Sequence, residues 1–231
     1  MDGLSAAILA GGLGTRLRSV TGERPKVLAP VRGRPFLSRL LDQLAEYSLP
    51  HATLLTGYAA DAVQSEFGES YRGMRLSYSR EAEPLGTGGA LRLALPLLDQ
   101  PSILLLNGDS YCDVDIAALV ARHRATGAAA TLSLAEVPDG SRYGRVERDA
   151  SDRITRFVEK GGSAEPGWIN AGAYVLERSV IEAIPAGRAV SLEREVLPGQ
   201  VDRGRVFGFP AGRFIDIGTP ESFAAAEAFF G

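Results

Sequence analysis

The strongest constraint on this chain is a rhythm, in which short apolar runs alternate with segments of helical period. "SAAILA" (5–10), "ATLLTGY" (52–58), "RLSYS" (75–79), "SILLLNGD" (102–109) and "ATLSLAEV" (130–137) are the strand candidates. Between them, Phe36, Leu37, Leu40, Leu41 and Leu44 recur at helical spacing, and "DAVQSEF" follows the second run. "GGALRLALPLL" (88–98) opens a further helix, and Ile116, Leu119 and Val120 mark the face of the next. Apolar strands separated by helices predict an α/β architecture, with a mostly parallel sheet covered on both faces.

After about residue 140 the rhythm changes. "GRVERD" and "RITRFVEK" read as paired strands, with the turn formers of "DASD" between them. "NAGAYVLERSVIEAI" reads as strand then helix, "RVFGF" and "RFIDIG" as strands, and "PESFAAAEAFF" as a closing helix with Pro220 in its first turn. The expectation is one domain over 1–231, whose second half, 138–231, carries a small antiparallel insertion. The chain has 231 residues, 45% of them hydrophobic, which is enough for a substantial core.

The net charge of −3 supplies no general basic field for nucleic acid or anionic membrane. A single cysteine, Cys112, excludes an internal disulfide and fits a reducing compartment. His51 and His123 lie far apart without Cys or His neighbours at ligand spacing, so a zinc site is not expected. No apolar run approaches the roughly 20 residues of a membrane span, and "MDGLSAAIL" lacks a basic leader. These features predict a soluble, cytoplasmic protein.

"AAILAGGLGTRLR" (6–18) carries the most chemistry. Gly11, Gly12 and Gly14 follow the first strand, and Arg16 and Lys26 flank them. Glycines let backbone N–H groups approach a ligand, and the cations add charge, so the loop reads as a phosphate site. It lies after a strand, where open α/β sheets bind ligands. The dinucleotide fingerprint fails because Leu17 stands at its third glycine, and no P-loop G-K-[ST] is present. Asp109 ends the most hydrophobic strand and emerges at the same sheet edge, while Asp113 or Asp115 is free to cap the next helix. Asp216 sits between Ile215 and Ile217, where a carboxylate is costly unless paired or metal-bound. Cys112 reads as a small packing residue.

"AGGLGTRL…ERPK" resembles the signature of the sugar-1-phosphate nucleotidylyltransferases. Further pieces fall in that family's order: "EPLGTGGA", "LLNGD", "YGRV", "FVEK", "NAGAYV" and "FIDIGTPE". One departure is "RLRSVTGERPK", which lacks the family's usual proline after "RL" yet keeps the spacing to Lys26. The resemblance implies a Rossmann-like, GT-A-like fold, with residues 1–137 mainly nucleotide-binding and 138–231 mainly sugar-phosphate-binding. It implies attack of a sugar 1-phosphate on the α-phosphorus of a nucleoside triphosphate, with Mg²⁺ held by Asp109 and Asp216. Arg16 and Lys26 would complete the catalytic set, Lys26 at the α-phosphate and Arg16 at the departing phosphates. Leu9, Ala10, Gly11, Gly12, Gly14, Thr15, Glu83, Gly86, Thr87 and Gly88 would bind the nucleotide, through Glu83 and the N–H groups of the "EPLGTGGA" helix start. Asn107, Gly108, Tyr143, Gly144, Glu159, Lys160, Asn170 and Gly172 would bind the sugar phosphate, Lys160 at its phosphate and Glu159 at its hydroxyls.

Within the family, "SLEREVLPGQV" and the ending "FIDIGTPESFAAAEAFF" are similar to the short guanylyltransferases of heptose 1-phosphate. Uridylyltransferases acting on N-acetylmuramate 1-phosphate share many of the same features. The expectation is therefore GTP with D-glycero-D-manno-heptose 1-phosphate. Alternatives are a uridylyltransferase for N-acetylmuramate or another hexose 1-phosphate, and, more remotely, a non-catalytic regulatory subunit that binds a nucleotide sugar. The partners expected are these two small anions, in a monomer or small homo-oligomer.

Overall fold

The computed structural model describes residues 2–12, 14–140, 142–158 and 165–231. The main elements in chain order are β1 (Leu4–Leu9), α1 (Phe36–Glu46), β2 (His51–Thr56), α2 (Ala60–Phe67), β3 (Met74–Arg80), α3 (Gly86–Ala94), β4 (Ser102–Asn107) and β5 (Ser110–Cys112). They continue with α4 (Ile116–Thr126), β6 (Ala130–Val137), β7 (Arg145–Arg148), β8 (Ile154–Val158), β9 (Gly167–Glu177), α5 (Arg178–Glu182), α6 (Leu197–Asp202), β10 (Val206–Pro210), β11 (Phe214–Asp216) and α7 (Pro220–Phe229).

β1 runs down the middle of the sheet, parallel to β2 on one side and to β4 on the other, and β3 extends the β2 side. The chain thus builds outward from β1 in one direction and then jumps back across it to β4. That reversal sets the C-terminal ends of β1 and β4 side by side, the place where open α/β sheets take their ligands in a crevice. In β1 and β4 every second side chain faces the opposite layer. Ile8, Leu104 and Leu106 pack with Phe36, Leu40 and Leu119 on one face, and Ala7, Ile103 and Leu105 with Leu91 and Ala94 on the other. Burial on both faces is why these strands are apolar without alternation.

The sheet is less uniformly parallel than the strand–helix rhythm predicts. β9 lies antiparallel to β4 and β6, while β10 is parallel to β6. The hydrophobic pattern of a strand buried on both faces is the same in either direction, so its sequence carries no orientation. The antiparallel β7–β8 pair forms around the expected turn, with Asp149 Oδ1 accepting from the Ser151 and Arg153 amides. A small antiparallel β5–β11 ladder pairs Ser110 with Asp216. Asp115 caps α4, its Oδ1 accepting from Ala118 N at 3.0 Å, and Pro220 starts α7 as expected. Among the described residues no helix is long and apolar enough to cross a membrane.

At the sheet edge opposite the crevice, His123 of α4 is buried between Thr131 Oγ1 and Glu177 Oε1, each 3.0 Å from a ring nitrogen. Burial pushes its imidazole below the usual value, although Glu177 opposes this. The unfolded chain therefore binds a proton more readily than the fold does. Stability from this residue is full above about pH 6.5 and is lost as pH falls toward the folded value. The unfolding free energy should drop between pH 7 and pH 5 in denaturant titrations. His123→Gln should flatten part of that drop, and identical pH slopes for the two proteins would contradict this account.

Candidate active site

The two walls of the crevice are pinned to each other. Leu9 and Asn107 are partners in the β1–β4 register, and Gly108 N donates to Leu9 O at 2.9 Å. A Cβ on Gly108 would stand 2.2 Å from that carbonyl oxygen, so only glycine lets the chain turn here against β1. Ala10 N donates to Leu55 O at 2.7 Å, which fixes the start of the glycine loop on β2. Gly14, at φ +58°, packs on the Cβ of Lys26 and opens the short turn Thr15–Leu17. Leu17 is buried as the anchor of that turn, while Gly12, Thr15 and Arg16 are exposed.

Three of the four residues expected to be catalytic converge here. Lys26 Nζ donates to Asp109 Oδ2 at 2.7 Å, with the lysine largely buried and the aspartate half exposed. Asp216 is brought beside Asp109 by the β5–β11 ladder and by Ile217 N donating to Asp109 O at 2.9 Å. Asp216 Oδ1 accepts from Gly218 N at 2.6 Å and Ser222 Oγ at 3.1 Å, and the Lys26 ammonium lies against Gly218. Asp216 Oδ2 accepts from Tyr143 Oη at 2.5 Å, with Arg142 at 3.6 Å. Burial, reinforced by Asp216, pushes the Tyr143 phenol far above its usual value, so it remains a proton donor. The sequence, with Tyr143 and Asp216 73 positions apart, carries no sign of this contact.

Asp109 and Asp216 are hard oxygen donors side by side, and among the described residues no group of three or more His, Cys, Asp or Glu is placed to hold a metal. A pair of carboxylates, completed by phosphate oxygens and water, suits Mg²⁺.

Of the two carboxylates before α3, Glu81 is the one that lies against the glycine loop. Glu83 is exposed, whereas Glu81 is half-buried, and its Oε1 would lie 2.8 Å from a Cβ on Gly11. Its Oε2 accepts from Leu85 N at 2.7 Å, and burial raises its carboxyl above the usual range. The start of α3 is less open than the sequence implies. Gly88 N and Gly89 N both donate to Val190 O, at 2.9 and 3.2 Å, and Val190 N donates to Leu85 O at 2.8 Å. Gly86, Gly88 and Gly89 are glycines because the 188–192 backbone crosses the helix start. A Cβ on Gly86 would lie 2.7 Å from Val190 O, and one on Gly89 2.6 Å from Arg188 O. Among the described residues, the segment takes the amides of Gly88 and Gly89 and leaves those of Gly86 and Thr87.

On the other side, Gly172 (φ +85°) allows β9 to pass Ser110 and Asn107, whose side chains would meet a Cβ at 2.3 and 3.1 Å. Asn107 Oδ1 and Ser110 Oγ are buried there without hydrogen-bond partners. Asn170 Oδ1 accepts from Gly172 N at 3.1 Å, and Gly144, at φ +76°, turns the chain after Tyr143. Glu159 and Lys160 lie outside the described residues.

The glycines of the crevice should separate sharply on mutation. Gly108→Ala forces a backbone shift against Leu9 and should destabilise the fold by about 1–3 kcal/mol. Gly12→Ala, whose Cβ would meet nothing within 4 Å, should leave stability unchanged. Denaturant unfolding of both variants checks this, and equal stabilities would refute the assignment.

Residues 5–230 match the family described as Nucleotidyl transferase. The chain is 40% identical over 229 residues to a mannose-1-phosphate guanylyltransferase of Mycobacterium tuberculosis, covering 97% of this chain and 64% of that protein. It is 36% identical over 226 residues to the D-glycero-alpha-D-manno-heptose 1-phosphate guanylyltransferase of Aneurinibacillus thermoaerophilus, covering 97% of each. The crystal structure of HddC from Yersinia pseudotuberculosis complexed with GMP-PN matches with a TM-score of 0.85 at 33% identity, over 98% of this chain and 99% of that one. The glycine loop, the paired aspartates and these likenesses agree, and the chain belongs to the nucleotidyl transferase family.

Proposed function

We propose that the protein transfers a guanylyl group from GTP to a sugar 1-phosphate, with D-glycero-D-manno-heptose 1-phosphate as the acceptor. The observation that carries the reading is the convergence of Lys26, Asp109 and Asp216 beside a glycine loop at the open end of the sheet. Guanine is supported by the named activities of the two relatives above and by the GMP-PN bound to the solved one. The heptose is supported by the likeness of the C-terminal half to the short guanylyltransferases. Mannose 1-phosphate is the nearest competitor, since both sugars have the manno ring configuration and differ in their exocyclic carbons.

In this reading an oxygen of the sugar phosphate attacks the α-phosphorus. The bond from that phosphorus to the bridging oxygen breaks, and pyrophosphate leaves with the electron pair. The nucleophile is already an anionic oxygen, so the residues need to position charge more than move protons. Lys26, beside Asp109, stands where charge develops on the α-phosphate oxygens. Arg16, exposed on the glycine loop, is free to follow the departing phosphates. Asp109 and Asp216 would hold Mg²⁺, which supplies further neutralisation of the triphosphate. Glu81, the carboxylate against Gly11, accepts from guanine N1–H and N2–H₂, the role sequence reasoning gave to Glu83. Asn170 and the Gly172 region meet the sugar, with Glu159 and Lys160 at its hydroxyls and phosphate.

Pyrophosphate release from each of the four NTPs, with mannose, heptose, glucose and N-acetylmuramate 1-phosphates, tests the reading. GTP with the heptose 1-phosphate should give the highest kcat/KM. Glu81→Gln should lower kcat/KM for GTP by about 10-fold or more, the worth of a charged hydrogen bond, with little change for UTP. Glu83→Ala should leave the preference intact. Faster turnover of UTP with N-acetylmuramate 1-phosphate would overturn the proposal, and loss of the guanine preference in Glu83→Ala would return the base to that residue.

A further inference from the structure

The segment that crosses the start of α3 also reaches the sugar side of the crevice. Thr87 Oγ1 donates to Glu193 Oε2 at 2.7 Å and accepts from Leu192 N at 2.8 Å. Ser191 Oγ donates to the same carboxylate oxygen at 3.2 Å. The other oxygen, Oε1, accepts from Tyr174 Oη at 3.2 Å. Tyr174 is fully buried on β9, and its Oη accepts from Asn170 Nδ2 at 2.7 Å. Leu192–Val196 forms a single π-helical turn, an irregularity frequent at functional sites.

The donors and acceptors along this chain have only one consistent order. A carboxylate accepts and cannot donate, so the single proton of Tyr174 goes to Glu193. The tyrosine oxygen can then only accept from Asn170, which turns the amide nitrogen towards it and the amide oxygen towards Gly172 N. The reversed amide would set oxygen against an oxygen whose proton is already given, and NH₂ against the Gly172 N–H. Amide orientation is an inference from partners, and here both partners agree. The second hydrogen of Asn170 Nδ2 remains as a donor.

We infer that Glu193 is a positioning residue for the sugar pocket. Its carboxylate fixes the Tyr174 proton and so holds Asn170 with its free N–H offered to a hydroxyl of the sugar. Because the same carboxylate holds Thr87, the device also ties the sugar side of the crevice to the nucleotide loop. Burial keeps the Tyr174 hydroxyl protonated and the relay intact through neutral pH. This inference rests on the sugar-phosphate reading of the site, without depending on which sugar is used.

The test uses the sugar 1-phosphate that wild-type enzyme turns over best. Glu193→Gln, which lets the relay run in either direction, and Tyr174→Phe, which removes only the hydroxyl, should each raise KM for the sugar phosphate about 3- to 10-fold. KM for the nucleotide should stay within about 2-fold in Tyr174→Phe, which leaves the Glu193–Thr87 contact in place. In an Asn170→Ala background Glu193→Gln should have no further effect on the sugar KM, since the group it positions is gone. Tyr174→Phe carries the test if Glu193→Gln fails to fold. Unchanged sugar KM in Tyr174→Phe overturns the relay while leaving guanylyltransfer standing. An undiminished effect of Glu193→Gln without Asn170 also overturns it. No turnover of any pair by wild-type enzyme removes both the relay and the reading beneath it.

Discussion

Everything in the crevice depends on how closely β4 leaves the sheet beside β1. Gly108 N on Leu9 O, with no room for a Cβ, sets where Asp109 emerges, and Asp109 in turn takes Lys26 across the glycine loop. The loop itself is pinned at Ala10 and Gly14, so its cations and its open amides are located by backbone contacts. Asp216 arrives from the far end of the chain through a three-residue ladder, and its two oxygens are held by Gly218, Ser222 and Tyr143. Each of the two carboxylates is thus paired or hydrogen-bonded, as a partly buried charge requires.

Much of this was legible in the residues. Strand and helix positions follow from apolar period, because β1 and β4 must be apolar on both faces and α1 on one. The placement of the glycine loop and Asp109 at one edge follows from the rule that strands of a parallel sheet point their ends the same way. Strand direction is another matter, since β9 presents the same apolar pattern whichever way it runs. That Glu81 and not Glu83 lies against the glycine loop was equally hidden. Two carboxylates in an irregular loop have no period to distinguish them, and only the fold shows that one of them meets Gly11.

The glycines of "GTGGA" are the instructive case. In sequence they read as the start of a helix, whose N–H groups can receive a base or ribose. In the structure what approaches is the chain's own 188–192 segment, and Val190 O takes two of the amides. Close approach is what glycine encodes; the approaching partner is decided by topology. That crossing segment is also what brings Glu193 to Thr87 and Tyr174, so the glycines bear on the Tyr174 hydroxyl indirectly.

We propose that Asp109 and Asp216 act together at a phosphoryl-transfer centre. Single-turnover pyrophosphate release in Asp109→Asn and Asp216→Asn, at saturating substrates with Mg²⁺, tests it most directly. Each variant should lose about 10²–10³ in rate, the usual cost of one well-placed electrostatic group, while melting near the wild-type temperature. The double variant should be little slower than the worse single one, as for groups acting as a unit. Wild-type rates in either folded single variant would contradict the account.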